Sequence, residues 1–420
     1  MAWKDIPLFK DVTSEQWNDW RWQWSHRIES VEQLSKVIPL DDEAVAGIER
    51  ALTRVRMAIT PYFASLIDPN DPKCPIRLQA VPRGFEADVK PWEFVDPLDE
   101  EADSPVDGLV HRYPDRVLFL VTELCSMYCR HCTRRRVVGV RDTIASEERL
   151  EKGFEYIRAH KEVRDVLISG GDPFTLTDDH LEHIVSTLRK IPHVEIIRVG
   201  TRVPVVMPQR VTEELASMLA KYHPVYVNTH FNHPKEITPE SAKACAILAD
   251  HGIPLGNQSV LLRGVNNCPQ VMKDLVRGLV RIRVKPYYIY QCDLTWGLDH
   301  FRTTISEGLE IMESLRGHTS GFSVPTYVVD APGGGGKIPL NPSYILTMGE
   351  GTVVVRNYEG VISAYREPRY DAAEKYGEDG KCSLCGGDHK DSIGVAGLLA
   401  GNKVSLVPEG NKRLGRRKSR

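Results

Sequence analysis

Short apolar runs rich in β-branched residues alternate with helix-like stretches through the central part of the chain. The runs have the length of buried strands, and the stretches between them carry apolar residues at helical spacing. Strands that alternate with helices predict parallel βαβ units. Six such units favour an α/β fold with a partial (βα)6 barrel over a closed eight-stranded barrel. The predicted strands are 117–122, 165–169, 195–200, 225–229, 255–261 and 285–290, with a further run at 323–329.

The first part of the chain has helical periodicity over 13–60, until Pro61 ends the pattern. An aromatic stripe there indicates a buried helix face rather than a cofactor site. The segment 66–108 is rich in Pro and Asp and is expected to connect the helices to the barrel. The residues that share helix faces are Trp17, Trp20, Trp24 and Ile28 in the first stretch, and Val45, Ile48, Leu52, Val55 and Ile59 in the second.

These patterns divide the chain into three predicted parts. Residues 1–110 form a helical region and linker, and 111–330 form the partial barrel. Residues 331–420 form a small β-containing C-terminal extension, with a β-rich run at 352–356 and a basic end, KRLGRRKSR. The basic end is expected to be a solvated tail, because the chain as a whole is slightly acidic.

Composition and charge narrow the class of protein. The 420 residues are 41% hydrophobic and 26% charged, with a formal net charge of -3, which is typical of a globular protein and gives no basic footprint for nucleic acid or an anionic membrane. No apolar run reaches the roughly 18 residues of a membrane span. The first residues, MAWKDIPLFKD, lack the apolar core of an export signal, so we expect a cytoplasmic protein.

Three of the nine cysteines are grouped in a way that predicts a metal centre. Cys125, Cys129 and Cys132 lie in LCSMYCRHC, directly after the first predicted barrel strand. Three thiolates can hold a 4Fe–4S cluster and leave the fourth iron open, whereas a zinc site normally needs four cysteine or histidine ligands. The open iron can chelate S-adenosylmethionine, and the motif resembles that of the radical SAM superfamily.

A glycine motif ends the second predicted strand. In Ser169–Pro173 the sequence is SGGDP, where Gly170 and Gly171 expose backbone groups to a ligand and Asp172 offers an acceptor for an ammonium group. The motif resembles the GGE-like motif with which radical SAM enzymes hold the methionine amino group. A glycine–aspartate pair alone marks a turn, so its position at the strand end carries the interpretation.

Lys337 follows four glycines in PGGGGKIP. A phosphate-binding P-loop is excluded, because Ala331 and Ile338 stand where that motif requires glycine and a hydroxyl residue. A lysine on a flexible glycine hinge suits a Schiff base with an aldehyde cofactor. The alternative is a mobile loop with a solvated lysine.

Together, CSMYCRHCTRRR, SGGDP, THFNHP, YYIYQCDLTWGLDHFRT and PGGGGKIP resemble the lysine 2,3-aminomutase family over nearly the whole chain. The resemblance implies a radical SAM partial barrel with a 4Fe–4S cluster on the three grouped cysteines and pyridoxal 5'-phosphate on Lys337. It also implies that Arg112, Tyr113 and Arg116 hold that cofactor, with guanidinium groups for its phosphate and a ring for stacking.

The same resemblance assigns residues to the substrate and to S-adenosylmethionine. Arg134 would clamp the α-carboxylate of the amino acid, and Asp293 and Asp330 would bind the distal ammonium of lysine. Two carboxylates suit a cationic side chain and would repel glutamate. His131, His230 and Gln258 would line the adenosyl pocket; no metal is assigned to the pair His230 and His233.

A zinc knuckle is a further expectation from the family. Cys382 and Cys385 form a Cys-x-x-Cys pair, and the family completes such a site with a cysteine of a neighbouring subunit that matches Cys268. The chain has two C-terminal cysteines where three are expected, so His389 is a candidate fourth ligand, or the site is absent. The zinc would join a homo-oligomer, either a dimer or a tetramer.

The predicted activity is the interconversion of L-lysine and L-β-lysine. A 5'-deoxyadenosyl radical would start a 1,2-amino migration on the pyridoxal phosphate aldimine, with an electron donor such as flavodoxin or ferredoxin. The alternatives are an aminomutase acting on arginine or glutamate, an enzyme that isomerises a lysine within a protein, and a non-catalytic iron–sulfur protein. The last of these would bind no aldehyde at Lys337.

Overall fold

The computed structural model describes residues 3–139, 143–349, 351–368 and 384–385. The chain divides into two compact units, Met1–Pro342 and Ser343–Arg420. Within the described ranges, no helix is long and apolar enough to cross a membrane. The three-part division expected from the sequence remains a prediction.

The first unit is built on a nine-stranded sheet whose strands lie side by side in chain order. Strands β2 to β8 are parallel, while β1 and β9 are antiparallel edge strands. All seven predicted strands are confirmed, and the two edge strands were not predicted. The bounds are β1 Leu109–Tyr113, β2 Arg116–Thr122, β3 Asp165–Gly170, β4 Ile196–Gly200, β5 Val225–Thr229, β6 Leu255–Leu261, β7 Val284–Gln291, β8 Thr326–Ala331 and β9 Gly336–Leu340.

Helices follow each of the strands β2 to β7, which confirms the predicted partial (βα)6 barrel. Most barrel helices begin after a serine or threonine whose hydroxyl caps the first turn, at Ser146, Thr177, Thr212, Thr238 and Thr304. The barrel helices are α7 Glu147–Ala159, α8 Asp178–Arg189, α9 Val203–Val206, α10 Glu213–Ala220, α11 Pro239–Asp250, α12 Pro269–Arg281 and α13 Ile305–Leu315.

Alternation along the strands separates a packed side of the sheet from an open lumen. In β3, Val166 and Ile168 are fully buried, whereas Leu167 and Ser169 line a cavity inside the barrel. Because every second residue faces inward, the lumen receives residues from the strands around it, and all strands of the sheet except β5 contribute to the cavity lining. The chemistry of the protein is therefore decided by these inward positions and by the loops that follow the strands.

The N-terminal helices are shorter than the sequence pattern predicts. They are α1 Ser14–Asn18, α2 Trp20–Ser25, α3 Val31–Ser35, α4 Asp42–Leu52, α5 Pro61–Ser65 and α6 Pro75–Ala80. Asp19 is extended and its carboxylate caps α2 through the backbone nitrogen of Arg21, so the expected continuous helix is broken there. Ile28 and Ile59 lie outside helices and pair in a short antiparallel bridge. The expectation that Trp17 and Ile28 are buried is confirmed, although they do not share one helix.

The segment 66–108 is more than the connection that its composition indicated. It contains α6 and the fully buried side chains of Gln79 and Glu86. Phe94 pairs with Thr295, which follows the carboxyl end of β7. The segment therefore lies against the edge of the barrel at which the predicted site residues stand.

The second unit contains a three-stranded antiparallel sheet in its described part. Its strands are β10 Ile345–Gly349, β11 Thr352–Arg356 and β12 Ile362–Arg366. The predicted β-rich run at 352–356 is β11. Lys337 lies on β9 and so belongs to the first unit.

Candidate active site

A cavity of about 570 Å³ occupies the barrel lumen and is lined by strand residues and by the loops that follow the strands. It is large enough for several small-molecule groups. Its walls bring together every residue predicted for the cluster, S-adenosylmethionine, pyridoxal phosphate and substrate. These are Arg112, Tyr113, Arg116, Cys125, Cys129, His131, Cys132, Arg134, Gly170, Gly171, Asp172, His230, Gln258, Asp293, Asp330 and Lys337.

The glycine motif fits the cysteine loop against the end of β3. The backbone nitrogens of Gly171 and Asp172 donate to the carbonyls of Thr122 and Leu124, at 2.6 and 2.7 Å. A Cβ at Gly171 would lie 2.0 Å from the Leu124 oxygen, and one at Gly170 would lie 2.1 Å from the Thr122 oxygen. Glycine is therefore required here for close backbone contact, in addition to any contact with a ligand.

The carboxylate of Asp172 already has several donors from the protein. It accepts hydrogen bonds from the backbone nitrogens of Phe174 and Arg202, at 3.0 and 2.7 Å, and from the Thr201 hydroxyl at 2.6 Å. Burial raises the pKa of Asp172, and these donors oppose the shift. Asp172 thus ties the ends of β3 and β4 together, and its predicted contact with an ammonium group stays a prediction.

The three grouped cysteines are free and fit a cluster better than a single ion. Burial raises the pKa of Cys125 and of Cys132, so metal rather than solvent must stabilise their thiolates. No three histidine, cysteine or acidic side chains of the described chain converge as ligands of one ion. A 4Fe–4S cluster does not require such convergence, because each thiolate binds a separate iron. Within the described part of the chain, the buried Ser126 Oγ and His131 Nδ1 have no hydrogen-bond partner, so both polar atoms are available to a bound group.

Two arginines of CRHCTRRR are held by one buried carboxylate from the N-terminal segment. Arg130 donates to Glu86 through Nη2 at 2.6 Å, and Arg135 donates to the same carboxylate at 3.0 Å. Burial alone would raise the pKa of Glu86, but the two guanidinium groups hold it below its ordinary value. Sequence reasoning missed Glu86. The excess of arginines beside the cysteines was the available signal, since buried charges require partners.

Arg134 is oriented by a second carboxylate that the sequence interpretation missed. Its Nε and Nη2 both donate to Glu100, at 3.1 and 2.7 Å. Glu100 is buried, which would raise its pKa, but Arg134, Arg136 and Arg112 lower it. Two donors of the Arg134 guanidinium are therefore held by Glu100, and Arg134 is among the residues that line the cavity.

Lys337 lies on strand β9 of a β-hairpin, directly after the glycine turn that the sequence expectation described as a hinge. Gly333 and Gly334 form the turn with positive φ values of 67° and 74°. Asp330 on β8 and Lys337 on β9 are paired across the strands, with Nζ 3.4 Å from Oδ1. The Nζ also lies 5.3 Å from the centre of the Tyr290 ring.

Strand β1 and the first residue of β2 place two cations and a ring beside this hairpin. Tyr113 accepts a hydrogen bond from the backbone nitrogen of Lys337 at 3.0 Å. Arg116 stacks on the Tyr113 ring at 3.9 Å, and Arg112 donates to the buried Asp103 at 2.9 Å. A phosphate, an aromatic ring and an aldehyde would each find a matching group here.

Asp293 lies in the loop after β7 and shares the cavity with Asp330. Burial raises the pKa of Asp293 to about 7, and the negative charge of Asp330 adds to the shift. Lys337 acts in the opposite direction. A pair of carboxylates that repel each other in a closed space favours a cation between them.

The predicted adenosyl pocket is lined by neutral histidines. Burial lowers the pKa of His230 to about 4, and its Nδ1 contacts the Gln258 carbonyl at 3.1 Å. Burial also lowers the pKa of His131 well below its ordinary value. The Asn232 amide donates to His131 Nε2 at 3.2 Å, so the proton of His131 is on Nδ1.

The predicted zinc residues lie elsewhere. Cys268 is exposed just before α12, and Cys385 is exposed in the second unit. Cys382 and His389 lie outside the described residues.

A barrel whose first loop carries three cysteines over a lumen of polar side chains defines the radical SAM class. The match to the Radical SAM superfamily spans residues 119–276, and a match to Lysine-2,3-aminomutase spans 312–420. The chain is 58% identical to L-lysine 2,3-aminomutase of Clostridium subterminale, with 97% of each chain covered. It is 56% identical to the same enzyme of Acetoanaerobium sticklandii, with 98% of this chain and 99% of that one covered. The chain belongs to the lysine 2,3-aminomutase family, as predicted.

A relative of different specificity is almost as similar. Glutamate 2,3-aminomutase of Clostridioides difficile is 51% identical over 86% of this chain and 85% of that one. The chain is 50% identical to the L-lysine 2,3-aminomutase of Bacillus subtilis and 58% identical to that of C. subterminale, and the 51% identity lies between these two values. The choice of substrate therefore depends on the residues of the site.

Proposed function

We propose that the protein is an isomerase that interconverts L-lysine and L-β-lysine. The observation that carries the proposal is the pair of acids, Asp293 and Asp330, in the cavity that also contains Arg134 and Lys337. The pKa of Asp293 is raised to about 7, in part by the negative charge of Asp330. An ammonium that binds to both carboxylates is favoured, because the cation relieves their repulsion. A glutamate side chain would add a third negative charge to the same place.

Arginine is the remaining competitor, because its side chain is also cationic. A guanidinium is planar and larger than an ammonium, and two carboxylates alone do not discriminate between them by charge. Several relatives that are named L-lysine 2,3-aminomutase support lysine over arginine. A direct comparison of substrates decides between the two.

The residues fit the cofactors of this reaction. When bound, S-adenosylmethionine on the cluster supplies one-electron hydrogen abstraction, and pyridoxal phosphate supplies the carbonyl that carries the migrating amino group. Cys125, Cys129 and Cys132 would hold the cluster. Lys337 would hold the aldehyde, beside the ring of Tyr113.

The protein's own part is to bind, orient and shield. Arg112 and Arg116 would neutralise the cofactor phosphate, and Arg134 would bind the substrate carboxylate through the part of its guanidinium that Glu100 leaves to the cavity. Gly170, Gly171, Asp172, His131, His230 and Gln258 would hold S-adenosylmethionine. The barrel wall around the lumen would exclude water and oxygen from the reacting atoms.

The remaining expectations are proposals that rest on the sequence. A cytoplasmic location and a donor such as flavodoxin or ferredoxin suit a cluster that must be reduced by one electron. A zinc knuckle of Cys268, Cys382 and Cys385, with His389 as a candidate ligand, would join subunits of a homo-oligomer.

An anaerobic assay tests the proposal. The reconstituted protein is supplied with S-adenosylmethionine, pyridoxal phosphate and a reductant, and separate reactions contain lysine, arginine or glutamate. We expect β-lysine from lysine and little product from the others, with Lys337→Arg as the inactive control. The proposal that lysine is the substrate is contradicted if a β-amino acid forms from arginine or glutamate but not from lysine. The proposal that the protein is an enzyme is contradicted if the chain loads iron but gives no product, and if borohydride does not trap the aldehyde on Lys337.

A further inference from the structure

A buried arginine contacts one of the grouped cysteines from the side of β4. Arg202 follows β4 at the start of α9, and it is only 6% exposed. Its Nη1 donates to Cys129 Sγ at 2.8 Å. Cys125 and Cys132 have no side-chain donor of this kind among the residues that the structure describes.

The guanidinium of Arg202 is held in place by its other donors. Nε donates to the His230 carbonyl at 3.2 Å. Nη2 donates to Gln79 Oε1 at 2.7 Å and to Glu236 Oε1 at 2.9 Å. With acceptors on three sides, the group cannot rotate away from the sulfur without breaking several buried hydrogen bonds.

The acceptors of Arg202 are themselves fixed and fully buried. Glu236 Oε2 accepts from the backbone nitrogens of Asn232 and His233, at 2.5 and 2.9 Å. Gln79 donates to Glu236 Oε1 at 3.1 Å. Glu236 and Gln79 are both 0% exposed. The pair Arg202–Glu236 is therefore electrically balanced, but the cation alone touches the sulfur.

We propose that Arg202 is a positioning residue that raises the reduction potential of the cluster on Cys125, Cys129 and Cys132, with Glu236 fixing and partly offsetting its charge. The inference rests on the iron–sulfur cluster of the proposed function. Reduction adds one electron to the cluster, and a charge-assisted N–H···S bond to a cluster thiolate stabilises the more negative state. A low dielectric around the buried pair strengthens this effect.

Arg202 also lines the cavity, so its charge could instead serve the carboxylate of a bound ligand. The two roles differ in what they require. Tuning of the cluster acts without any ligand, whereas ligand binding has no effect on the cluster until the ligand is added.

The test is a redox titration of the reconstituted protein, followed by electron paramagnetic resonance without S-adenosylmethionine or pyridoxal phosphate. Arg202→Gln should lower the midpoint potential, by on the order of tenfold in the reduction equilibrium, or about 59 mV for one electron. Glu236→Gln should raise it, because a negative charge is removed and the arginine remains. Arg202→Lys should lie between the parent protein and Arg202→Gln.

Arg210→Gln provides the matched control. Arg210 is also buried and also binds two carbonyls and one carboxylate, of Phe174, Leu176 and Asp178. The Arg210→Gln substitution should lower the stability of the protein but leave the midpoint potential of the cluster unchanged. If Arg202→Gln fails to fold, the upward shift in Glu236→Gln still tests the proposal, and its absence overturns it.

Two further results overturn the inference. One is an unchanged potential in Arg202→Gln with a full load of iron. The other is a shift that appears only after S-adenosylmethionine is added, which assigns Arg202 to the ligand. A parent protein that loads no iron at all would instead contradict the proposed function.

Discussion

The backbone nitrogen of Lys337 donates a 3.0 Å hydrogen bond to the hydroxyl of Tyr113, and this bond links the two edge strands of the nine-stranded sheet. β1 and β9 do not pair through their backbones in the described sheet, so a side chain spans the opening between them. Arg116 stacks on the same ring and fixes it. The position of Lys337 therefore depends on a residue 224 positions earlier in the chain.

Tyr113→Phe should weaken the binding of pyridoxal phosphate without preventing it. The variant keeps the ring but loses one hydrogen bond, which contributes about 1 kcal/mol, or roughly a fivefold change in affinity. Absorbance titration with the cofactor measures the change. Tyr226→Phe, at an exposed tyrosine on β5, is the control and should bind as the parent protein does. Equal affinities in all three proteins would remove Tyr113 from the cofactor site.

Lysine binding should weaken as the pH falls below 7. Asp293 has a pKa of about 7, because of burial and of Asp330, and it attracts the ammonium only when it is ionised. One pH unit below that value, about a tenth of Asp293 is ionised, so KM for lysine should rise on the order of tenfold. Steady-state kinetics between pH 6 and 8 measure this. The Asp293→Asn variant should have a high KM for lysine at both pH 6 and pH 8. If its KM still depends on pH, the pH dependence belongs to another group.

The same carboxyl should make the ligand-free protein less stable at high pH. Its folded pKa lies above the ordinary 3.8, so the native state binds the proton more tightly than the unfolded chain does. The associated stability is present below about pH 4 and is lost as the pH rises toward 7. Asp293→Asn should therefore have a higher Tm than the parent protein at pH 8, and the gain should shrink at pH 5. Calorimetry measures both values, and a lower Tm for the variant at pH 8 contradicts the raised pKa.

Arg134→Lys should lower kcat/KM for lysine by roughly 30- to 160-fold. An ammonium cannot bind Glu100 through two donors and a substrate carboxylate at the same time, and losses at charged hydrogen bonds are about 2 to 3 kcal/mol. Lysinamide, which lacks the carboxylate, is the diagnostic substrate. The parent enzyme should discriminate strongly against it and the variant should not. A variant that keeps the discrimination would move the carboxylate contact away from Arg134.

Gly171→Ala should lose the cluster. The new Cβ would lie 2.0 Å from the Leu124 oxygen, so the cysteine loop must move away from β3. Iron per chain should fall by more than half after reconstitution, together with Tm. Gly321→Ala is the matched control, since a Cβ there meets nothing within 4 Å. Full iron loading in Gly171→Ala would show that the loop tolerates the displacement.

The strands and the motifs were predictable because their signals are local. Strand β5 and strand β6 have the predicted bounds, since apolar runs between turns are read from adjacent residues. Each motif ends a strand, and parallel strands place their ends at one edge of the barrel. Cys125 and Asp330 could therefore be expected in one cavity, although they are far apart in the chain.

The partners of the charged side chains were not predictable. Glu86, Glu100 and Gln79 meet their arginines from a segment that composition marks only as a linker. The arginines require acids, but no periodicity indicates which acid comes close. The break at Asp19 was missed for a related reason, because one capping side chain outweighs the periodic pattern around it.

Glu86 and Glu100 make the barrel dependent on the chain that precedes it. A fragment that began at β1 would keep Arg130, Arg134 and Arg135 beside the cysteines but lose the carboxylates that balance them. An unpartnered buried charge costs several kcal/mol, so the cysteine loop of such a fragment would open to water. The barrel is consequently not an independent structural unit. Transfer of its cysteine loop to another scaffold would require the transfer of Glu86 and Glu100 as well.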